Sequence, residues 1–144
     1  MAVTAHFFGK GVLNLWKKMM DLSSDTLKVA LFTSSIDPET NRNIYEKYAD
    51  ISANEVVGTR YTAGGITLTN VAVSLDTTNH VVKLTADDPA WETSTITGRY
   101  AVIYDASTAD NLLIAFSDFG EDKSTSNIEF KLDYGTSILE DALS

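Results

Sequence analysis

The paired glycines in the segment RYTAGGITL, residues 60–68, are the first candidates for chemistry, because glycine-rich turns can cradle phosphates. A phosphate loop needs a helix after the turn, with its N-terminus facing the phosphate. Here Gly64 and Gly65 precede ITLTNVAVSL, which is rich in β-branched residues, and no Lys-Ser or Lys-Thr follows them. We therefore predict a turn with positive φ at the start of a strand.

Acid–base and nucleophilic chemistry have few candidates. The histidines are His6 and His80, there is no cysteine, and no Gly-x-Ser-x-Gly pattern occurs. The acid pairs Asp87–Asp88 and Glu121–Asp122 are the kind that a hydrolase or a calcium site uses. Both pairs are predicted to lie in turns, where acids are common for local reasons. We predict no catalytic, cofactor-binding or metal-binding residues, and therefore a protein that is not an enzyme.

Aromatic residues near predicted loops leave a carbohydrate-binding function open. Trp91 follows a predicted turn, and Tyr45, Tyr48 and Tyr61 lie near other predicted loops. Exposed aromatic rings on a β-sandwich stack on sugars, although such a tryptophan is more often a core or interface residue. A carbohydrate-binding β-sandwich module is therefore an alternative hypothesis.

The composition is that of one ordinary domain. The chain has 144 residues, of which 44% are hydrophobic and 22% charged. A net charge of −9 argues against a nucleic-acid partner, because phosphates demand a basic surface. No segment approaches the ~20 apolar residues of a membrane span, and the first residues lack the form of a secretory signal. We expect synthesis in the cytoplasm and no membrane partner.

The N-terminal segment has helical periodicity and an excess of lysine. Apolar residues recur at spacings of three and four, which predicts a helix over about 7–21. We divide the chain into an N-terminal helical arm, 1–22, and a single β domain, 23–144. The helix is either a lid on the core or a docking arm, because aromatic residues and methionine suit both roles. As a docking arm, its candidate interface residues are Phe7, Phe8, Lys10, Trp16, Lys17, Lys18, Met19 and Met20.

After residue 26 the pattern changes to that of strands. We predict a mainly β fold, an antiparallel β-sandwich or barrel of about seven short strands with one N-terminal α-helix. A phase shift near Asn70 predicts a bulge, and residues 76–79 predict a hairpin turn. RYAVIYDA predicts a central strand, because it is apolar on both faces.

The remaining segments are a long loop and a C-terminal strand. The polar segment 36–57 predicts a long loop with one short helix near 43–49. GEDKSTS predicts a polar loop. NIEFKLDY alternates, which predicts that Ile128, Phe130 and Leu132 face inward.

A series of segments resembles a group of small virion structural proteins of tailed bacteriophages. The segments are DTLKVALFTSS, ANEVVGTRYTAGGITL, VVKLTADDPAW, STITGRYAVIYD and LIAFSDFGEDKSTSNIEF, in that order from about Asp25 to Phe130. The resemblance implies a head-associated protein that decorates the outside of a capsid, with a neck or tail component as the alternative. It implies the major capsid protein and neighbouring copies of itself as partners, a homo-oligomer on the particle, and a place in the virion.

Overall fold

The computed structural model describes residues 1–143 and has a mainly β, antiparallel fold with one α-helix. The predicted fold class is therefore confirmed. The elements in chain order are β1 (His6–Phe7), α1 (Gly9–Trp16), β2 (Leu27–Phe32), two 3-10 helices (Tyr48–Asp50 and Ser52–Asn54), β3 (Ile66–Thr67), β4 (Ala72–Asp76), β5 (Val81–Thr85), β6 (Ala90–Ser94), β7 (Thr97–Asp105), β8 (Leu112–Ser124), β9 (Ile128–Lys131) and β10 (Leu139–Ala142).

The largest sheet has five strands in the order β1-β8-β7-β2-β3. Strand β7 lies at its centre, as its apolar sequence predicts, and residues 100–105 are all buried. Alternate residues of β2 enter two different core clusters, with Val29 in one and Ala30 in the other. This sheet is therefore buried on both faces, because successive side chains of a strand point to opposite sides.

Two smaller sheets cover one face of the large sheet. The first has the order β10-β5-β4 and the second pairs β6 with β9. They contribute Leu84, Trp91 and Phe130 to the core cluster that holds Val29. The hairpin predicted at residues 76–79 is confirmed, since β4 pairs with β5 from Asp76 opposite Val81.

The segment 36–57 covers the opposite face. It contains two 3-10 helices and no α-helix, so the short helix predicted near 43–49 is confirmed only in part: the first 3-10 helix overlaps the predicted range at residues 48–49, and a second one follows it. Its Ile36 and Ile51 are buried in the cluster that holds Phe8 and Phe32. The segment is therefore a packed layer of the domain.

Four local predictions need correction. Helix α1 ends at Trp16, before residue 21, because Lys18 has a φ of 61°, which a right-handed helix does not allow. The strand predicted to bulge near Asn70, whose φ is 54°, instead divides into β3 and β4, which belong to different sheets. Residues 120–124 of the predicted loop GEDKSTS belong to β8, because Ser124 pairs with Thr97 of β7. Ile128 is exposed, whereas Phe130 and Leu132 are buried.

Candidate functional site

The turn at Gly64 and Gly65 is closed by the protein's own carboxylate. The φ values are +96° and +76°, so the predicted positive-φ turn is confirmed. The Gly64 N–H donates to both carboxylate oxygens of Glu55 at 2.9 Å, and the Tyr48 hydroxyl donates to the same carboxylate at 2.6 Å. Glu55 thus occupies the place that a bound anion would take.

The second glycine is required by close packing. A Cβ on Gly65 would lie 1.9 Å from the carbonyl oxygen of Val29, and the Tyr104 hydroxyl donates to the Gly64 carbonyl at 2.6 Å. The turn therefore packs directly against the backbone of β2. Sequence analysis missed Glu55, and no local motif marks it, because it contacts the turn through the fold.

Three of the four acidic candidates, Asp87, Asp88 and Glu121, have hydrogen-bonding or ion-pair partners within the chain. Asp87 accepts hydrogen bonds from Thr69 and Asn70, and the Asp88 carboxylate accepts from the backbone of residue 134 at 3.1 Å. Glu121 pairs with Lys123 at 2.7 Å. The pair 121–122 lies in β8 and not in a turn, which corrects its predicted position.

Residues 1–143 contain no group of three or more His, Cys, Asp or Glu side chains that is placed to hold a metal ion. Across the same residues, no helix has both the length and the apolar character that a membrane crossing requires.

The aromatic residues of the carbohydrate hypothesis do not form an open platform. Trp91 is 3% exposed and stacks on Tyr61 with ring centroids 5.8 Å apart. Tyr45 and Tyr48 are half-buried and pack against the core cluster that holds Phe8 and Phe32. Trp91 is thus a core residue, and a sugar would have to displace its packing to reach it.

The eight predicted interface residues differ in accessibility. The exposed ones are Trp16, Lys17, Lys18 and Met19. Phe7 and Lys10 are half-buried. Phe8 is 0% exposed and Met20 is also buried. The prediction that these two residues contact a partner therefore needs correction, because apolar packing against the sheets encloses both side chains.

The contacts of the N-terminal segment favour a lid over a detachable arm. Strand β1 pairs with β8, and the Phe8 ring lies 5.0 Å from that of Phe116, centroid to centroid. Helix α1 packs so closely on β8 that a Cβ on Gly11 would lie 2.7 Å from the Ile114 carbonyl oxygen. The buried Asn14 donates to Glu46 at 3.2 Å. The helix is therefore fixed to the domain at several points.

The end of this fixed helix presents an exposed apolar and basic surface, made of Leu13, Trp16, Lys17, Lys18 and Met19. We call it the helix-end surface. The Trp16 side chain is 85% exposed, and Leu13 and Met19 are also exposed. The left-handed conformation of Lys18 ends the helix and turns the chain away from it.

A groove adjoins the helix-end surface. It has a volume of about 630 Å³, and Lys18 and Met19 line it on one side while Val73 of β4 lines it on the other. A smaller, more apolar groove of about 120 Å³ lies between Leu15, Leu22 and the sheet β10-β5-β4. Apolar surface therefore extends from the helix to β4.

A buried carboxyl group, Asp105, adjoins the half-buried Asp25, which lines the larger groove. Asp105, at the end of β7, is 0% exposed. Its Oδ1 accepts a hydrogen bond from the Ser107 N–H at 2.9 Å, and its Oδ2 has no partner in the described part of the chain. Burial first, and then the neighbouring Asp25 carboxyl, raise the pKa of Asp105 to about 7. This residue was not predicted, although an aspartate at the end of the apolar run 100–104 is a recognisable signal.

Comparisons of the chain with protein-family models, with curated proteins and with solved structures find no match. The fold and the site together define a mainly β domain with an exposed tryptophan and two lysines at the end of a fixed helix.

Proposed function

We propose that this chain is a non-enzymatic structural protein of a bacteriophage virion, one that decorates the outer surface of the assembled head and stabilises it. The observation that carries the proposal is the helix-end surface, where Trp16 is 85% exposed between apolar and basic neighbours. Tryptophan is among the residues that dominate binding energy in protein interfaces. The phage particle is proposed as the partner because residues 25–130 resemble phage virion proteins.

The charge distribution supports an acidic partner surface. Lys17 and Lys18 directly follow the exposed tryptophan, whereas the whole chain carries a net charge of −9. Such a chain approaches an acidic lattice with its basic helix end first, because charge complementarity steers encounters. Apolar contact by Trp16 then supplies the affinity.

Stabilisation of the head needs no chemistry. A protein that binds the assembled lattice and not its free subunits stabilises the assembly by mass action. Each contact can be modest if neighbouring copies also contact one another, because linked contacts raise the effective concentration.

The first test is a copy number. Particles that encode this chain would be purified, and the chain quantified by mass spectrometry against the major capsid protein. A ratio of one copy per capsid subunit, or a simple fraction of it, supports decoration of the whole lattice. A handful of copies per particle would instead support a neck or tail component, and absence would overturn the virion proposal.

A second test separates the helix-end surface from the rest of the molecule. Co-sedimentation with particles lacking the protein would compare wild type with Trp16→Ala and with Ile44→Ala, whose side chain is also exposed but lies in the segment 36–57. We expect loss of binding for W16A only. Equal binding by W16A and wild type would contradict the proposed surface, and a glycan array then tests the carbohydrate alternative.

A further inference from the structure

The outer edge of strand β4 is a second surface that lacks a partner within the chain. Strand β4 lies at the end of the sheet β10-β5-β4, and four of its five residues are exposed. An edge strand presents unpaired N–H and C=O groups that accept another strand. Proteins normally protect such an edge with charges, proline, a bulge or extreme shortness.

Strand β4 has none of these protections. Its sequence is AVSLD, without proline, glycine or lysine, and its register with β5 is regular. Its one charged residue, Asp76, is neutralised by Lys83, whose Nζ lies 3.2 Å from the carboxylate Oδ2. The strand therefore offers a row of backbone groups without a bulge and without an unpaired charge.

The other edge strands in residues 1–143 are protected. Strands β1 and β3 have two residues each. Strand β6 has an irregular register with β9, β9 carries Glu129 and Lys131, and β10 carries Glu140 and Asp141. The contrast within one molecule singles out β4 as an edge built to be paired.

We propose that two copies of the chain pair antiparallel through β4, about a two-fold axis at Ser74. Each three-stranded sheet then becomes half of one continuous sheet. The charged β10 strands lie at the two ends of that sheet, so the assembly closes as a dimer and does not grow into a fibre.

The side chains of β4 are complementary to themselves in this register. Val73 lies opposite Leu75 of the second copy, and Ala72 lies opposite Asp76 of the second copy. Val73 is 43% and Leu75 is 56% exposed, and both project from the same face, because they are two residues apart. The pairing therefore joins apolar to apolar and places no acid opposite an acid.

The paired face also continues an apolar surface already present in each copy. Val73 lines both grooves beside Leu15 and Leu22. A second copy thus extends this surface across the axis. The inference concerns the chain alone and does not rest on the proposed virion function.

A charge-reversal experiment tests the register. Sedimentation velocity of the full chain would be recorded over a wide concentration range for wild type, V73K/L75K and V73K/L75E. In the proposed pairing, V73K/L75K places lysine opposite lysine, whereas V73K/L75E places lysine opposite glutamate. We expect a dimer for wild type and V73K/L75E, and at least tenfold weaker dimerisation for V73K/L75K.

Val57→Lys is the matched control, because Val57 is an exposed apolar residue outside β4, and it should dimerise as wild type does. Circular dichroism checks that each variant is folded. Hydrogen exchange of the wild type provides a measurement without substitution, and the amides of residues 72–76 should gain protection as concentration rises. A wild type that stays monomeric, a V73K/L75K variant that dimerises like wild type, a V73K/L75E variant as weak as V73K/L75K, or unchanged exchange in β4 would each overturn the inference.

Discussion

Replacing Asp105 with asparagine should stabilise the protein at alkaline pH and do so much less at acidic pH. The ionised side chain is costly here, because it is 0% exposed and adjoins the Asp25 carboxyl. Protonation gives Oδ2 a hydrogen to donate to Asp25. An asparagine amide donates in the same place at every pH, and its Oδ1 still accepts from Ser107.

The magnitude follows from the pKa. Asp105 has a pKa raised from 3.8 to about 7, so its favourable contribution is fully present below about pH 4 and is lost as the pH rises through about 7. At ~1.4 kcal/mol per pH unit the whole interval corresponds to about 4 kcal/mol. We expect about 2–4 kcal/mol of added stability in D105N at pH 8.

The assay is urea unfolding of wild type and D105N at pH 5 and pH 8. In a chain of this size the expected gain at pH 8 corresponds to a melting temperature higher by roughly 4–16 °C. The hydrogen bond from Arg99 lowers the pKa of Asp118. Asp118 therefore changes the free energy of unfolding only at lower pH. It does so equally in wild type and D105N, so it does not contribute to the difference between them.

Asp110→Asn is the control, because Asp110 is an exposed acid in the turn after β7 and pairs with Lys47 at 3.6 Å. Its removal should change the free energy of unfolding by less than ~1 kcal/mol at either pH. An equal gain of D105N at pH 5 and pH 8, or a D105N variant less stable than wild type at pH 8, would show that the ionised Asp105 side chain does not destabilise the fold.

Three further predictions concern the N-terminal segment and the glycine turn. Phe8→Ala should lower the free energy of unfolding by about 3–5 kcal/mol in urea titration, because a fully buried ring leaves a cavity. Trp16→Ala should change it by less than ~0.5 kcal/mol, and a loss like that of F8A would show that Trp16 is a packing residue. Gly65→Ala should cost more than Gly135→Ala, for which we expect about 1–2 kcal/mol. Both have positive φ, but only at Gly65 would the Cβ strike a backbone carbonyl, so equal melting temperatures would refute the packing argument.

The parts of the fold that the sequence predicts are those governed by local pattern. Continuous apolar character identifies β7 as a central strand, and the turn residues at 76–79 identify the β4–β5 hairpin. The positive φ of Gly64 and Gly65 follows from the strand-like sequence after them. In each of these places the sequence signal lies within a few residues along the chain.

The wrong predictions fall where distant contacts decide. The polar last residues of β8 form a strand because β7 provides their backbone pairing partners. This pairing outweighs their weak β propensity. The apolar periodicity of the first residues does not reveal that Phe8 points into the core while Trp16 points outward. The close approach of Gly11 to the Ile114 carbonyl oxygen fixes that difference, and it depends on β8, a hundred residues away.

The two surfaces inferred here would reinforce one another. A dimer paired through β4 carries two helix-end surfaces, and Val73 lines a groove that Met19 also lines. Binding of the first Trp16 to a repeated lattice would hold the second near its own site, at an effective concentration set by the rigid separation of the two copies. A weak contact per copy would then suffice for lasting attachment, provided that the spacing of the two surfaces matches a spacing in the lattice. Loss of pairing should therefore weaken attachment even where every Trp16 is intact.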